Sequence, residues 1–181
     1  MVPHRFRTSL AWLLLLAAGC SSTPNNYHTL VPAQANRVAG ERIQVERVVV
    51  PPQVDRPQLV VRQGDSGLAI LETEWWGANL VDEFRSALQD LLGGPVGGAP
   101  KSVLRVEVQR FDSVPGHAAL LDAVWRLQRP GREELTCRTT VQTPAQNSIA
   151  SLVGAQQANL RKLADAVRAS ATTDSTRCPA S

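Results

Sequence analysis

Three consecutive segments in the second half of the chain alternate between apolar and polar residues. They cover Ser102 to Phe111, Ala119 to Gln128 and Glu133 to Thr143, and the turn-forming pairs Pro115-Gly116 and Pro130-Gly131 separate them. The alternate apolar positions are Leu104, Val106 and Val108, then Leu121, Ala123, Trp125 and Leu127, then Leu135, Cys137 and Val141. This period of two residues predicts strands with one dry face and one exposed face, as in an antiparallel meander.

Two amphipathic helices are predicted on either side of these strands. The first follows Asn79, a candidate N-cap, and stops at Gly93-Gly94; the second runs from about Ser148 to Ala169. Apolar residues recur at helical spacing in both. They are Leu80, Val81, Phe84, Ala87, Leu88, Leu91 and Leu92 in the first helix and Ile149, Leu152, Val153, Leu160, Leu163, Ala164 and Val167 in the second.

Shorter strand-like segments precede the first helix. Tyr27 to Leu30 and Glu41 to Val50 are candidate strands, and Leu59 to Arg62 and Leu68 to Glu72 flank the turn-forming cluster Gln63-Gly64-Asp65-Ser66-Gly67 as a hairpin. Together these patterns predict an α+β domain. We expect an antiparallel sheet of about five to seven strands with both helices packed on one face.

The N-terminus carries an apolar run that ends at a cysteine. Leu10 to Gly19 is shorter than the roughly 20 residues needed to span a bilayer, and Arg5 and Arg7 precede it, which is typical of a cleaved export signal. Ala17-Ala18-Gly19-Cys20 resembles the bacterial lipobox, so we expect acyl chains on Cys20 and no other cofactor. The alternative is a plain secreted protein in which Cys20 is incidental. By resemblance to enterobacterial sorting, Ser21 in place of Asp predicts the outer membrane.

These features divide the chain into four parts. They are a signal peptide over residues 1–19, a lipidated tether over 20–26, one domain over 27–171 and a C-terminal tail over 172–181. Loss of Arg5 and Arg7 with the signal reduces the 19 basic residues to 17, against 16 acidic ones. Because basic and acidic residues alternate along the chain, no clustered basic face is expected, and a nucleic-acid partner is therefore not predicted.

Two cysteines remain once Cys20 is lipidated. Thiols of an exported chain mature in an oxidising compartment, so we expect a disulfide between Cys137 and Cys178 that pins the last helix and the tail to the sheet. The alternative, two free thiols, conflicts with the export signal.

The sequence does not predict an enzyme or a metal site. His28 and His117 lie far apart and lack nearby ligands, and no hydrolase, zinc-protease or phosphate-loop motif occurs. The glycine-rich stretch 93–98 follows a helix and lacks the lysine and hydroxyl residue of a phosphate loop, so it is interpreted as a linker.

Two stretches stand out as candidate contact sites. Asp55, Arg56 and Pro57 predict a rigid turn in which the carboxylate bonds local amides and the guanidinium is free to meet a partner; a purely structural turn is the alternative. Trp75 and Trp76 are adjacent, so both indoles cannot face inward, and we hypothesise that one contacts a partner or lipid.

At these residues the chain resembles the PqiC (YmbA) family of ABC-type transport auxiliary lipoproteins of Gram-negative envelopes. The resemblance rests on Val50-Pro51, the run from Asp55 to Arg62, and Trp76 four residues before Leu80. It extends to Tyr27-His28-Thr29-Leu30, Val106 to Asp112, Trp125 and Thr143-Pro144. The second tryptophan and the glycine-rich linker depart from the family pattern.

The resemblance implies a role in lipid transport rather than catalysis. It implies an outer-membrane lipoprotein that docks on, or terminates, a periplasm-spanning tube of MCE domains belonging to a protein anchored in the inner membrane. It also implies contact with outer-membrane lipid and a homo-oligomeric ring. Two alternatives stay open, namely an assembly lipoprotein for an outer-membrane protein and a periplasmic binder of apolar ligands.

Overall fold

The computed structural model describes residues 23–33, 42–93, 102–172 and 177–179. In these residues it has seven strands and two helices. The strands are β1 (Asn26–His28), β2 (Ile43–Val49), β3 (Gln58–Gln63), β4 (Gly67–Trp76), β5 (Ser102–Val114), β6 (Ala118–Gln128) and β7 (Leu135–Pro144). The helices are α1 (Leu80–Leu91) and α2 (Ile149–Thr172). The α+β class and the number of elements agree with the sequence patterns.

The strands form two mixed sheets rather than one antiparallel sheet. The larger has the order β2-β5-β6-β7 and the smaller the order β1-β4-β3. The predicted meander β5-β6-β7 and the β3-β4 hairpin are antiparallel, as expected. The expectation is wrong for β1 and β2, which pair in parallel with β4 and β5. A parallel pair needs a long crossover, and the chain between the partners in each of these pairs supplies one.

The hydrophobic core lies between the larger sheet and both helices. Trp125 and Leu127 of β6, Phe84 of α1, and Leu160 and Leu163 of α2 are fully buried in one apolar cluster. The opposite face of the larger sheet is mostly exposed, with polar residues at alternate positions. The predicted arrangement of one buried and one exposed face is therefore confirmed. Burial of the apolar stripes drives the sheet and the helices together.

The ends of α1 show why this helix begins and stops where it does. Asn79 occupies the N-cap position in an extended conformation, but its side chain makes no capping hydrogen bond. Gly93 has φ of 88° directly after the helix, a left-handed conformation that glycine adopts without strain. Residues 94–98 of the predicted linker lie outside the described part of the chain.

Candidate functional site

The two stretches singled out by sequence come together at the junction of β3, β4 and β1. The main-chain amide of Trp76 donates a hydrogen bond of 2.7 Å to the carbonyl oxygen of Pro57. Gln58 lies opposite Trp75 in the β3-β4 ladder, and Tyr27 lies opposite Trp75 on the other side of β4. We call this region the tryptophan junction.

The turn before β3 is fixed by its main chain rather than by a carboxylate. The amides of Val54 and Asp55 donate to the carbonyl oxygen of Pro51 over 3.0 and 3.2 Å, and the Val54 side chain is buried in the core. The Asp55 carboxylate is exposed and makes no hydrogen bond to any described residue, contrary to the sequence-based expectation. The half-buried Arg56 likewise has no side-chain partner among the described residues. Among the described residues, neither side chain helps to fix this turn.

The adjacent indoles have different environments. Trp76 is 5% exposed and makes an edge-on contact with Phe111, with ring centroids 6.5 Å apart. Trp75 is only half-buried, and its Nε1 donates to the carbonyl oxygen of Glu72 over 2.8 Å. Both residues end β4, which continues four residues beyond the predicted strand Leu68 to Glu72. Alternation along β4 therefore separates them, since successive side chains point to opposite faces.

Two carboxylates hold β1 and the chain after it, and sequence patterns gave no sign of this role. Glu74 accepts hydrogen bonds from Asn26 Nδ2 at 2.8 Å and from His28 Nε2 at 2.5 Å. These hydrogen bonds, that of His28 first, lower the pKa of Glu74 below its usual value. The buried Glu83 of α1 accepts from Thr29 Oγ1 at 2.7 Å and from the Leu30 amide at 2.8 Å. Glu83 lies in the first turn of α1.

A second unforeseen charged cluster lies on the outer face of the larger sheet. The Asp122 side chain is only 5% exposed and accepts two hydrogen bonds from Arg138 and one of 2.9 Å from Thr140 Oγ1. The hydrogen bond from Arg138 is the main reason why the pKa of Asp122 is lowered. A lone Asp among polar strand residues carries no sequence signal for such burial.

The remaining predicted site residues are the three cysteines. The Sγ atoms of Cys137 and Cys178 are 2.10 Å apart, in a disulfide that joins residues 41 positions apart in sequence. Cys137 is buried on the core side of β7, so the segment 177–179 is tied to the sheet. Cys20, the expected lipidation site, lies outside the described residues, as does the signal peptide.

The described residues contain neither a membrane-spanning helix nor a cluster of metal ligands. Neither helix in this part of the chain is long and apolar enough to cross a bilayer. Within the same residues, no three His, Cys, Asp or Glu side chains gather as metal ligands would.

Comparisons with known proteins agree with the fold. No curated protein matches the sequence significantly. One solved structure, of an uncharacterized protein, has a TM-score of 0.67 at 18% identity and covers 82% of this chain and 99% of its own. A second, a Xanthomonas campestris protein of the DUF330 family, has a TM-score of 0.58 at 16% identity and covers 77% of this chain and 90% of its own. At these identities the likeness concerns the fold alone.

A family model provides the more specific match. The model described as the ABC-type transport auxiliary lipoprotein component matches residues 28–168. The match begins at the last residue of β1 and ends within α2, so it includes β2 to β7 and the tryptophan junction except Tyr27. The chain therefore belongs to the family of ABC-type transport auxiliary lipoproteins.

Proposed function

We propose that this protein is the outer-membrane lipoprotein of an MCE-type lipid transport system. It acts as the docking or terminal element between the periplasm-spanning MCE tube and the outer membrane. Acyl chains on Cys20 hold it on the periplasmic face of that membrane, and it works as a ring of identical subunits. It binds partners and lipid and does not catalyse a reaction.

The observation that carries this proposal is the family match over residues 28–168. The family is defined as auxiliary to ABC-type transport and as a lipoprotein, and the N-terminus of this chain has the features that such an anchor needs. Two or three acyl chains on Cys20 provide stable anchoring where one chain gives only reversible binding. Ser21 after the cysteine supports the outer membrane over the inner one.

The tryptophan junction is the proposed contact with the transport partner. Asp55 and Arg56 are charged groups left without side-chain partners by the described residues, and the half-buried Trp75 and the exposed Tyr27 lie at the same junction. Aromatic and arginine side chains contribute most strongly to protein interfaces. The strand β1, which follows the tether, joins the junction directly, so this contact would form close to the membrane anchor.

In-cell photo-crosslinking tests the proposal. A photoreactive amino acid replaces Arg56 in the full chain, and the captured partners are identified by mass spectrometry. The matched control replaces Arg161, an exposed arginine on α2. We expect the Arg56 position, and not the Arg161 position, to capture an MCE-domain protein. A Cys20→Ala variant should lose the outer-membrane location and the crosslink together.

Three outcomes would contradict the proposal. Capture of only a β-barrel protein at Arg56 would favour the assembly role, and capture of only lipid would favour a binder of apolar ligands. An Arg56 crosslink to the MCE protein that survives Cys20→Ala would show that docking does not require the anchor.

A further inference from the structure

Three arginines lie directly opposite one another on the outer face of the larger sheet. In the ladders, Arg47 of β2 pairs with Arg105 of β5, and Arg105 pairs with Arg126 of β6. Directly opposed side chains in neighbouring strands have Cβ atoms about 5 Å apart, and like charges in such positions destabilise a sheet. We call these residues the arginine row. Because this arrangement does not stabilise the sheet, we looked to binding for its role.

Only the central member of the row is neutralised within the described chain. Arg105 makes ion pairs with Glu46 and, over 3.2 Å, with Glu134. Arg47 and Arg126 on either side are exposed and form no ion pair or side-chain hydrogen bond with any described residue. The guanidinium groups of Arg47 and Arg126 therefore lie on either side of Arg105 and its two carboxylates, Glu46 and Glu134. These carboxylates would repel an anion bound at the centre of the row.

The row borders an open groove whose lining combines charged and apolar residues. Its lining includes Arg47, Arg105 and Arg126 together with Val49 and Val124, and its volume is about 320 Å³. Val49 is 39% exposed, which is unusual for a large apolar residue in this domain. In register, Val49 pairs with Glu107 and Glu107 with Val124, so the valines form the next row beside the arginines. The groove thus offers two cations without ion-pair partners among the described residues and two apolar contacts, with the Glu107 carboxylate between the valines.

The charges favour a ligand with two separated carboxylates over a membrane surface. Binding to anionic lipid needs a cluster of about four to eight basic residues, whereas here Glu46, Glu107 and Glu134 lie among the three arginines. A single phosphate seated on Arg105 would meet the Glu46 and Glu134 carboxylates. Guanidinium groups, in contrast, bind separate carboxylates in bidentate pairs.

The spacing fits an extended acidic segment. Arg47 and Arg126 are two strands apart, a separation of about 10 Å. Carboxylates at alternate residues of an extended chain lie on one side of it, about 7 Å apart. The long arginine side chains can cover the remaining distance from either side.

We propose that the arginine row and its valine neighbours bind an acidic segment of a partner protein, through two carboxylates on Arg47 and Arg126. The proposal rests on the proposed docking function only for the identity of the partner. The face itself can be tested without any transport protein. Failure of this binding and failure of docking at the tryptophan junction are therefore distinguishable.

The test is a titration of the full chain, purified in a nonionic detergent, followed by NMR. The probe is the peptide acetyl-Leu-Glu-Ser-Glu-Leu-amide, and its matched control has Gln in place of both Glu. We expect shifts at the Nε–H signals of Arg47 and Arg126 and at the methyl groups of Val49 and Val124. The affinity should fall with added salt, since exposed charge pairs are screened. The Gln peptide should produce no such shifts.

Variants locate the binding. Arg47→Gln and Arg126→Gln should each lower the affinity for the Glu peptide by about five- to tenfold. Arg161→Gln removes the same charge from an exposed position on α2 and should leave the affinity unchanged. Equal weakening by Arg161→Gln would indicate a non-specific effect of net charge and overturn the proposal. Binding of inorganic phosphate or anionic vesicles with the same variant dependence, without peptide binding, would also overturn it. So would the absence of shifts at millimolar peptide.

Discussion

The amide of Trp76 donates a 2.7 Å hydrogen bond to the carbonyl oxygen of Pro57, and this bond connects the end of β4 to the turn that precedes β3. The two residues belong to separate sequence stretches, yet the fold makes them neighbours. The contact places the exposed Asp55 and the half-buried Arg56 beside an aromatic pair that also borders β1. The junction therefore connects three strands and is also our candidate for the partner surface.

Replacing either tryptophan should separate these two roles. Trp76→Ala removes a buried indole from its contact with Phe111, and we expect it to lower the free energy of unfolding by about 3–5 kcal/mol. Trp75→Ala should lower it by only about 1 kcal/mol, because Trp75 is half-buried. Urea denaturation of both variants measures the difference. Equal losses would show that Trp75 is also a core residue.

Although Trp75→Ala should cost little stability, we expect it to weaken the contact with the partner. Trp75→Ala should reduce the Arg56 crosslink to an MCE-domain protein while the chain remains folded and anchored. Leu68→Ala, which truncates an exposed apolar residue elsewhere on β4, serves as the control and should leave the crosslink unchanged. If Trp75→Ala behaves like Leu68→Ala, the indole has no role in the interface.

Breaking the pair between Asp122 and Arg138 should be asymmetric. The Asp122 side chain is 5% exposed, whereas that of Arg138 is 64% exposed. Arg138→Ala leaves a carboxylate buried with only Thr140 as its hydrogen-bond donor, and should be the more destabilising change. Asp122→Asn keeps the shape and leaves a cation that water can solvate, so we expect a loss of about 1–3 kcal/mol. Urea midpoints of the two variants at pH 7 test the order, and the reverse order would contradict the assignment.

Acid should loosen β1. The pKa of Glu74 is lowered by its hydrogen bonds to His28 and Asn26, so its contribution to stability is fully present above its usual value of 4.5. That contribution is lost as the pH falls through the lower pKa of the folded state. The protection of the β1 amides, expressed relative to their intrinsic exchange rates at each pH, should therefore fall at acidic pH before that of the β6 amides. Glu74→Gln should make β1 exchange faster at neutral pH and remove most of this pH dependence.

Reduction of the disulfide should destabilise the domain without unravelling its core. In the chain-entropy model, a cross-link between residues 41 positions apart stabilises a fold by at most about 4 kcal/mol. Cys178→Ala should approach this loss, and Cys137→Ala should exceed it because it also leaves a cavity under β7. Thermal unfolding with and without a reductant gives the measurement. A Cys178→Ala variant that still responds to the reductant would show that the bond is not responsible.

Local patterns were sufficient for the elements that pair with their neighbours in sequence. The alternation in β5, β6 and β7 identified strands, faces and turns, because a hairpin needs only adjacent segments. The parallel pairings of β1 and β2 were missed, since their partners lie far along the chain and short strands do not encode a direction. The predicted strand Leu68 to Glu72 stopped short of Trp75 and Trp76, whereas β4 continues to Trp76 past an irregular stretch of its ladder with β3.

The candidate sites were predictable only in part. The cysteines and the tryptophan pair attract attention by residue type alone, and the structure places them in a disulfide and at a junction. Glu74, Glu83 and Asp122 are ordinary acidic residues in sequence. Their roles come from burial and from donors that tertiary folding supplies, which no periodicity can report. The arginine row was interpreted as part of an alternating charge pattern because cross-strand register is invisible in a linear sequence.

The parallel alignment of β1 with β4 has a mechanical consequence for a protein held at its N-terminus. Tension on the tether acts along β1, so the short ladder and the two side-chain bonds on Glu74 are loaded together in shear rather than opened one after another. Thr29 and Leu30, fastened to Glu83, carry the load onward into α1. If the chain is anchored at Cys20 as proposed, a strand of three residues can thus transmit force from that anchor to the core.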